Sequence, residues 1–572
     1  MRSRFAAVVL GVLILLAGGG TAVADAPGTV LYPGGAPHEF NIYARVIGLQ
    51  HAGAQNGRLL GVFEHNFDDG TPASFIIRSS TDGGTSWSTY ATVPDPLSGP
   101  GHPVSNMWQP SLFEFPHAIA GYPAGTLLLA GNMVPADGAY TQFYTWRSTD
   151  HGRSWTPVGP LQRGGTFGQG IWEPFLSLDA RGRLVAYFSD ERDSPQHSQM
   201  LVHVVSTDGG KSWGPVVRDV ASSVAADRPG MPTVARMGPT GRFVLSYEVC
   251  GRPNCEVRYK FSADGVHWKA ADLGRAVVTT DGRYPGHSPY LAWVPETHQL
   301  VLAGQRVYSA TGHETTGEDY RAVFVNDSEG TGDWGWAPAP WTVSNASPDC
   351  NANYSPNLLP TGENGVVRYT APTSSGSTGT CSEATGSAPI GYLPYQDDFA
   401  SGSDAGWIDY GGTWAVHDGI YAQTSGGDVG AKALTGSTLW RDYTIAADVR
   451  INSAPADAGV LARVTDPGVG ADSHAGYTAF FDDGGGNLTI ARQQYAYEPL
   501  ASVPVTGGIQ SGQWYHLTLQ VKGFTLTATL QPAGGGPVTT LQTQDPYRSF
   551  PAGMVGVRGH AGTADFKNVS VR

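Results

Sequence analysis

Two glutamates stand in segments that would otherwise be apolar strands. Glu173 interrupts the run Ile-Trp-Glu-Pro-Phe-Leu, and Glu248 ends the run Phe-Val-Leu-Ser-Tyr-Glu. A carboxylate among bulky apolar side chains is costly to bury unless it is partnered or used in chemistry. Two carboxyl groups facing one pocket can cleave a glycosidic bond, because one protonates the leaving oxygen while the other stays ionised. We therefore predict Glu173 and Glu248 as a catalytic pair; the simpler alternative for each is a salt bridge to Arg45 or Arg228.

A recurring strand pattern predicts the elements that carry these residues. A short segment, with proline third in all copies but the first, recurs along the chain, and an apolar run follows each copy. The segments are 43–47, 108–112, 172–176, 230–234, 287–291 and 354–358, and the apolar runs are 59–64, 126–130, 183–188, 242–248, 300–303 and 365–370. Each unit has room for about four strands, as a propeller blade requires. The pattern predicts a six-bladed β-propeller over residues 27–393.

A second repeat marks the turns of these units. The pattern Ser-x-Asp-x-Gly-x-x-Trp occurs at 80–87, 148–155 and 206–213, with a contracted copy at 262–268. Such a turn uses Asp to cap backbone amides and Gly to adopt a positive φ, while Trp packs back on the sheet. The copies resemble the Asp-box of sialidase-like propellers, and we expect their Asp and Trp residues to be structural.

The blade register predicts which side chains meet near the axis. The start of the first strand and the end of the second lie on one face, opposite the Asp-boxes. On this face, or at its rim, we expect substrate contacts from Arg45, His65, Asn66, Trp108, Gln109, Trp172, Asp190, Arg192, Arg228, His287 and Tyr354. Glu64, Asn132, Glu191 and Arg306 share the face without a predicted role. The histidines could instead be merely hydrogen-bonded, the tryptophans could be core, and Asp190 with Arg192 could belong to a solvated turn.

Composition excludes several functional classes. The 572 residues include 77 Gly and 40 Pro with only 15% charged residues, which suits short strands and turns rather than helical bundles. A net charge of -14 argues against a nucleic-acid partner or an anionic membrane surface. No phosphate-binding GxxxxGK[ST] loop occurs, and we expect no cofactor.

The N-terminal segment predicts export. Two arginines, an apolar run and small residues follow one another over residues 1–26, as in a secretory signal peptide, so we expect a secreted, extracellular monomer. Four cysteines in an oxidising compartment favour disulfides, and proximity favours Cys250 with Cys255 and Cys350 with Cys381. The spacing does not suit zinc, and we predict no metal in the catalytic site.

The C-terminal residues 394–572 follow a different pattern. Alternating strands with Gly and Asp turns predict a β-sandwich of jelly-roll type, resembling the concanavalin/laminin-G-like modules of secreted glycosidases. We hypothesise that it binds polysaccharide, although Trp407, Trp414 and Trp514 are expected mainly in the core. The acidic turn Asp482-Asp483 is a candidate calcium site. The polar stretch 373–387 is expected to be a surface loop of the last blade.

The motifs of the third and fourth units carry a family resemblance. Trp172-Glu173-Pro-Phe-Leu, Tyr187-Phe-Ser-Asp190-Glu-Arg192-Asp, Arg228-Pro-Gly-Met-Pro-Thr-Val and Ser-Tyr247-Glu248 resemble glycoside hydrolase family 93, the exo-1,5-α-L-arabinanases. Tyr43-Ala-Arg45 resembles that family's Tyr-Pro-Arg, with alanine in place of proline. The resemblance covers the propeller only. It implies release of arabinobiose from the non-reducing end of α-1,5-arabinan with retention, with Glu173 as general acid/base and Glu248 as nucleophile.

Two other functions remain open from the sequence. A sialidase would use Arg45, Tyr354 and Glu248, but it needs two further arginines and leaves Glu173 unexplained. A propeller lectin without catalytic activity, with the sandwich as a second binding module, would tolerate neutralisation of either glutamate. Exo action would require a pocket closed at one end, for which the sequence offers only the long connections 99–106 and 135–140.

Overall fold

The computed structural model describes residues 28–36, 39–97, 105–315, 317–375 and 380–572. The chain is almost wholly β in these ranges, with 41 strands and three short 3-10 turns at Gly53–Gln55, Pro253–Cys255 and Pro348–Cys350. The predicted signal peptide 1–26 lies outside the described residues, as does most of the connection 99–106. No helix among the described residues is long and apolar enough to cross a membrane.

Six antiparallel sheets form the predicted propeller. Blades 1 to 3 contain β2 (Glu39–Gly48), β3 (Leu59–Phe67), β4 (Ser74–Ser80), β5 (Ser88–Pro94); β6 (Ser105–Glu114), β7 (Leu127–Pro135), β8 (Gln142–Ser148), β9 (Thr156–Arg163); and β10 (Ile171–Leu178), β11 (Leu184–Asp190), β12 (Met200–Ser206), β13 (Val217–Val220). Blades 4 and 5 contain β14 (Arg228–Arg236), β15 (Phe243–Cys250), β16 (Glu256–Ser262), β17 (Arg275–Ala276); and β19 (Tyr290–Val294), β20 (Gln299–Ala303), β22 (Ala322–Asn326), β23 (Gly335–Pro338). Two short strands, β18 (Tyr284–Gly286) and β21 (Arg306–Tyr308), extend blade 4.

The sixth blade joins the two ends of the propeller. It contains β24 (Asn357–Pro360), β25 (Val366–Ser375) and β26 (Thr380–Pro389), and the first strand of the described chain, β1 (Thr29–Tyr32), pairs with β26 as its outer strand. The expectation of a loop over 373–387 is wrong, because β25 and β26 pair through most of that stretch. Its hydroxyl groups bond across the strands, as between Thr370 and Thr385 at 3.0 Å, so the polar sequence is compatible with a sheet.

The Asp-box turns connect the third and fourth strands of their blades. In the first copy the Gly84 amide donates to Ser80 Oγ at 2.8 Å, the Ser86 amide donates to Asp82 Oδ1 at 3.0 Å, and the Trp87 indole donates to the Gly84 carbonyl. The copies at 148–155, 206–213 and 262–268 repeat the bonds to Ser and Asp. These side chains are occupied by their own turn, on the side of the blade away from the axis.

The C-terminal unit is a two-sheet β-sandwich. One sheet has the order β29 (Trp414–His417), β30 (Ile420–Gln423), β41 (Ala564–Val571), β32 (Tyr443–Ile451), β37 (Trp514–Lys522), β38 (Thr525–Pro532), β39 (Thr539–Gln544), with β27 (Tyr395–Asp397) also on β41. The other has the order β28 (Ile408–Tyr410), β31 (Gly427–Thr435), β40 (Met554–Ala561), β33 (Asp457–Thr465), β34 (Ala475–Asp482), β35 (Asn487–Gln494), β36 (Tyr497–Pro504). Alternate residues of β32 are buried, as the period-2 pattern predicts.

The sandwich tryptophans divide between core and surface. Trp407 and Trp414 are buried in the sandwich core, as expected. Trp514 is only half-buried, with the cations of Arg450 and Lys567 over its ring at 4.6 and 4.4 Å, so the expectation that it is core is wrong. The turn weighed for calcium uses Asp482 to accept backbone amides of its own turn.

Propeller and sandwich share one apolar cluster. Trp334 and Trp336 of the propeller pack with Tyr410, Leu434 and Met554 of the sandwich, and all are buried. Burial of this apolar surface holds the sandwich on blades 4 and 5 of the propeller.

Candidate active site

A strained residue stands at the same place in the inner segment of each blade. These residues have a positive φ and precede proline, or alanine in blade 1: Tyr43 (65°), Gln109 (54°), Glu173 (55°), Met231 (55°), Ser288 (46°) and Ser355 (51°). In blades 1 to 4 the strand pairing shifts register there, so each residue forms a β-bulge. A left-handed conformation costs a non-glycine residue roughly 1–2 kcal/mol, and such strain is concentrated at functional sites.

Side chains of the preceding blade hold several of these bulges. The Gln109 amide donates to Glu64 Oε1 at 2.8 Å, and the Ser288 amide donates to Glu248 Oε2 at 2.7 Å. The Glu173 amide donates to Gln109 Oε1 at 3.0 Å. These three amides are therefore satisfied from the neighbouring blade.

Glu173 and Glu248 approach the same two backbone residues of β14. The Met231 amide donates to Glu173 Oε2 at 3.4 Å. A Cβ built on the adjacent Gly230 would lie 3.4 Å from Glu248 Oε1 and 2.6 Å from Gln199 Nε2. The two carboxyl groups thus meet over Gly230-Met231, and the missing side chain of Gly230 leaves the room for Glu248.

Burial changes the titration of the carboxyl groups in this cavity. Burial raises the pKa of Glu173 to about 7, with a further contribution from the negative charge of Glu248. Burial also raises the pKa of Glu248 to about 7, against the Ser288 amide and the charge of Arg228, which lower it. Burial raises the pKa of Glu64 to about 8. Both predicted catalytic residues keep part of their surface accessible, as a reacting group must.

The axis below these carboxyl groups is filled by side chains from alternate blades. The Arg45 guanidinium lies 5.1 Å from the centre of the Tyr290 ring, and the Phe175 ring packs edge-on against Tyr290 at 6.2 Å. Arg45 is buried and donates to the Ser355 carbonyl at 3.0 Å and to Ser355 Oγ at 2.8 Å. Arg45, Phe175 and Tyr290 thus pack together across blades 1, 3 and 5, and we call this group the floor of the candidate site.

Tyrosines and tryptophans line the cavity beside the carboxyl groups. Burial raises the pKa of Tyr354 well above its usual value, and the charges of Glu173 and Glu248 raise it further. Its ring centre lies 6.3 Å from that of Tyr43. The Trp108 and Trp172 rings stack at 6.3 Å with 29° between their planes, and both remain partly accessible at the rim.

Some predicted contact residues bond to other protein groups. Asp190 and Arg192 form an ion pair, with Arg192 Nη2 2.7 Å from Asp190 Oδ2. Arg228 pairs with Glu191 at 2.5 Å, so the alternative of a salt bridge from Arg228 to a catalytic glutamate is not realised. Substrate contact by these three residues stays a prediction.

Two predicted residues of blade 1 make structural bonds. Asn66 Oδ1 accepts from the Met107 amide at 2.8 Å and its Nδ2 donates to the Met107 carbonyl, which joins blades 1 and 2. His65 Nε2 lies 2.8 Å from Glu39 Oε1. These bonds leave a substrate role for His65 and Asn66 untested.

His287 lies beside the nucleophile candidate. One of its ring nitrogens is within 4.8 Å of a Glu248 carboxylate oxygen, as are the sulfur atoms of Cys250 and Cys255. The sulfurs are bonded to each other in a disulfide, so they are not free thiolate ligands, and the remaining donors do not suit a metal. The structure also contains the expected Cys350–Cys381 bond.

Sequence reasoning gave no role to two groups of this site. The sequence puts Glu64 on the shared face and at the end of an apolar run, much as it does Glu248, but does not by itself predict a role for it. Gly230 is recognisable from the sequence only as part of a strand. Alignment of the six units on the residue before proline is the sequence feature that could have identified both Glu64 and Gly230.

Comparisons with known proteins follow this division of the chain. Residues 396–572 match the family described as a 3-keto-alpha-glucoside-1,2-lyase-like domain. A sialidase of Micromonospora viridifaciens is 32% identical over 146 residues, which is 25% of this chain and 20% of the sialidase. The chain therefore spans about a fifth of the length of that curated relative.

Solved structures resemble the propeller. The GH93 α-L-arabinofuranosidase of Fusarium graminearum, in complex with arabinobiose, is 26% identical with a TM-score of 0.53, covering 63% of this chain and 97% of that chain. An α-L-arabinanase of Penicillium chrysogenum, also with arabinobiose, is 27% identical with a TM-score of 0.52, covering 63% of this chain and 98% of that chain. The resemblance to family 93 is confirmed, and these similarities support a glycoside hydrolase.

Proposed function

We propose that the protein is a retaining, exo-acting glycoside hydrolase that cleaves α-1,5-linked L-arabinan and releases arabinobiose from the non-reducing end. The observation that carries this proposal is the convergence of Glu173 and Glu248 over Gly230-Met231, in a propeller similar to solved arabinan-degrading enzymes. Retention needs carboxyl groups about 5–5.5 Å apart, so that one can attack the anomeric carbon directly.

Neighbouring charges support a different role for each glutamate. Glu248 accepts a short bond of 2.7 Å from the Ser288 amide, and the positive charge of Arg228 lowers its pKa. Glu173 accepts long bonds of 3.4 Å from Gln109 Nε2 and the Met231 amide and a bond from Ser189 that lowers its pKa, whereas the negative charges of Glu248 and Glu191 raise it. We therefore place the proton on Glu173, which protonates the leaving oxygen and later activates water. Glu248 carries the charge and attacks the anomeric carbon.

Exo action is part of this proposal and requires a cavity with one closed end. The group of Arg45, Phe175 and Tyr290 supports a closed end along the axis. The non-reducing end then lies against the floor, and the rest of the polymer leaves toward solvent.

Product analysis tests the proposal. Arabinobiose, and no longer product at early times, is expected from debranched arabinan, with the anomeric configuration followed by NMR during the first minutes. Random chain lengths would contradict exo action, and the opposite initial anomer would contradict retention. Absence of any cleavage would leave a carbohydrate-binding propeller.

A sialidase is the second candidate, favoured by the Micromonospora similarity and by Tyr354 beside the carboxyl groups. It needs a cluster of arginines for the substrate carboxylate. Arg228 is instead paired with Glu191, and Arg306 is paired with Asp319, so these ion pairs argue against a sialidase. Release of sialic acid from sialyl-lactose would establish it.

The proposal also covers where the protein acts and in what oligomeric state. We propose that residues 1–26 direct export and that the enzyme acts outside the cell as a monomer on arabinan or pectin side chains. Polysaccharide binding by the sandwich is part of the same proposal. Mass analysis of the secreted protein tests both the cleavage site and the monomeric state.

A further inference from the structure

An exposed phenylalanine stands at the rim of the candidate active site. Phe167 is 60% exposed, at the tip of the connection between β9 and β10. Isolated exposed apolar residues are common, but this ring is stacked on Trp172 at 5.7 Å with only 8° between the planes. Trp172 in turn stacks on Trp108. The three rings form a continuous aromatic stack.

The stack begins at the proposed acid/base residue. Trp172 immediately precedes Glu173, and Trp108 immediately precedes Gln109, whose Nε2 lies 3.4 Å from Glu173 Oε1. Phe167 is the outer end of the stack and is open to solvent.

The backbone around Phe167 holds its ring in place. The Gly165 amide donates to the Gln169 carbonyl at 2.7 Å, and the Gly164 amide donates to the Thr141 carbonyl at 2.8 Å. A Cβ on Gly138 would lie 3.0 Å from an edge atom of the Phe167 ring. With one face on Trp172 and one edge at Gly138, the exposed area of Phe167 is its outer face.

A side chain at position 170 would disturb the stack. A Cβ on Gly170 would lie 2.6 Å from Trp172 Cζ2, so the glycine is what lets the indole lie flat beneath Phe167. The neighbouring Glu191 amide donates to the Gly170 carbonyl at 2.9 Å and fixes the base of the connection.

We propose that the outer face of Phe167 binds a sugar ring of the departing polymer, beyond the unit attached to the leaving oxygen. This inference rests on the proposed function. Glu173 protonates the leaving oxygen, so the polymer departs on its side of the cavity, where the stack lies. The apolar face of a furanoside packs on an aromatic ring, and exposed aromatic faces suit such contacts.

A comparison of substrates tests whether Phe167 is a sugar-binding platform, that is, a ring on which a sugar packs. Phe167→Ala is expected to lower kcat/KM on α-1,5-arabinohexaose about three- to tenfold through KM, the effect of one aromatic contact. Activity on the 4-nitrophenyl glycoside of arabinobiose, whose leaving group carries no sugar ring, should stay within about twofold. Phe167→Trp should restore the hexasaccharide KM. Tyr392→Ala, a change at a 37% exposed ring beside the turn between β24 and β25, is the matched control and should alter activity on neither substrate.

Each outcome decides the proposal. A Phe167→Ala enzyme that matches the parent on both substrates, or loses both equally, overturns the platform while the proposed function stands. A parent enzyme that cleaves neither substrate overturns the proposed function and the platform with it. A selective loss on the hexasaccharide, reversed by tryptophan, supports the platform.

Discussion

Glu64 and Glu248 occupy equivalent positions in blades 1 and 4. Each lies near the end of the second strand, opposite the residue that precedes the bulge, and each accepts the amide of the positive-φ residue in the following blade. Their environments differ in one respect: Gly230 leaves space beside Glu248, whereas Ile42 occupies the matching place beside Glu64. The repeat thus supplies a carboxyl group twice, buried in blade 1 and partly accessible in blade 4.

Azide rescue separates the roles of the catalytic pair. Glu173→Gly and Glu248→Gly should each lose at least about a thousandfold in kcat on arabinan, as removal of a catalytic group does. With an activated aryl glycoside, azide should restore turnover in both variants. The Glu248 variant should give the inverted glycosyl azide, and the Glu173 variant the retained one. The reverse assignment of products would exchange the two roles.

Glu64→Gln should stabilise the protein as the pH rises. The pKa of Glu64 is raised to about 8 in the folded protein, so the native state keeps a proton that the unfolded chain loses near the ordinary glutamate pKa. The free energy of unfolding of the parent therefore falls as the pH rises from about 5 to 8. The variant lacks this titration, so it should gain more than about 1 kcal/mol over the parent across that range. Thermal unfolding across this range measures the difference. Glu363→Gln, at an exposed position, is the control, and an equal response of both variants would refute the argument.

Gln109 should act as a positioning residue for Glu173. Its Oε1 accepts from the Glu173 amide, and its Nε2 contacts the Glu173 carboxyl group. Gln109→Ala is expected to lower kcat about tenfold or more with little change in KM, because misplacement of a proton donor affects mainly the chemical step. Gln109→Glu should also move the basic limb of the pH–kcat profile upward, since a second negative charge raises the pKa of Glu173. An unchanged profile would leave Gln109 with a purely structural role.

Gly230→Ala should reduce activity more than stability. The added methyl group would meet Gln199 and crowd Glu248, so we expect kcat/KM to fall about tenfold or more. Gly534→Ala is a suitable control, because a Cβ there meets nothing within 4 Å. Activity equal to that of the control would show that Glu248 tolerates the methyl group without displacement.

Removal of the sandwich should destabilise the propeller. A chain ending at residue 393 exposes Trp334 and Trp336, now buried against the sandwich, so its thermal unfolding midpoint should fall by several degrees. Activity on soluble oligosaccharide should fall with the loss of stability, and activity on insoluble arabinan should fall further, because the module proposed to bind polysaccharide is also lost. An equal loss on both substrates would contradict polysaccharide binding by the sandwich and leave it a stabilising role only.

The sequence predicts the strands, turns and repeated units better than it predicts the contacts between distant residues. The six units and the sandwich were predictable because proline, Asp-box turns and period-2 alternation act locally. The strand character of 373–387 was not, because hydroxyl pairing across strands depends on a partner elsewhere in the chain. The pairing of Arg228 with Glu191 could not be predicted either, because tertiary geometry decides whether Arg228 pairs with Glu191 or with a catalytic glutamate. Glu173 and Glu248 could be singled out because carboxylates in apolar strands are rare.

The first strand of the described chain has a consequence for folding. Because β1 pairs with β26, residues 29–32 must wait for residues 383–385 before their hydrogen bonds form. Contacts of such long sequence separation form slowly, since the entropy of closing the loop is lost before the pairing is gained. The last blade is therefore complete only when the N-terminal strand β1 has paired with β26 and closed the ring of blades. Until the ring closes, Arg45 of blade 1 lacks its hydrogen bonds to Ser355, and the floor of the candidate site is incomplete.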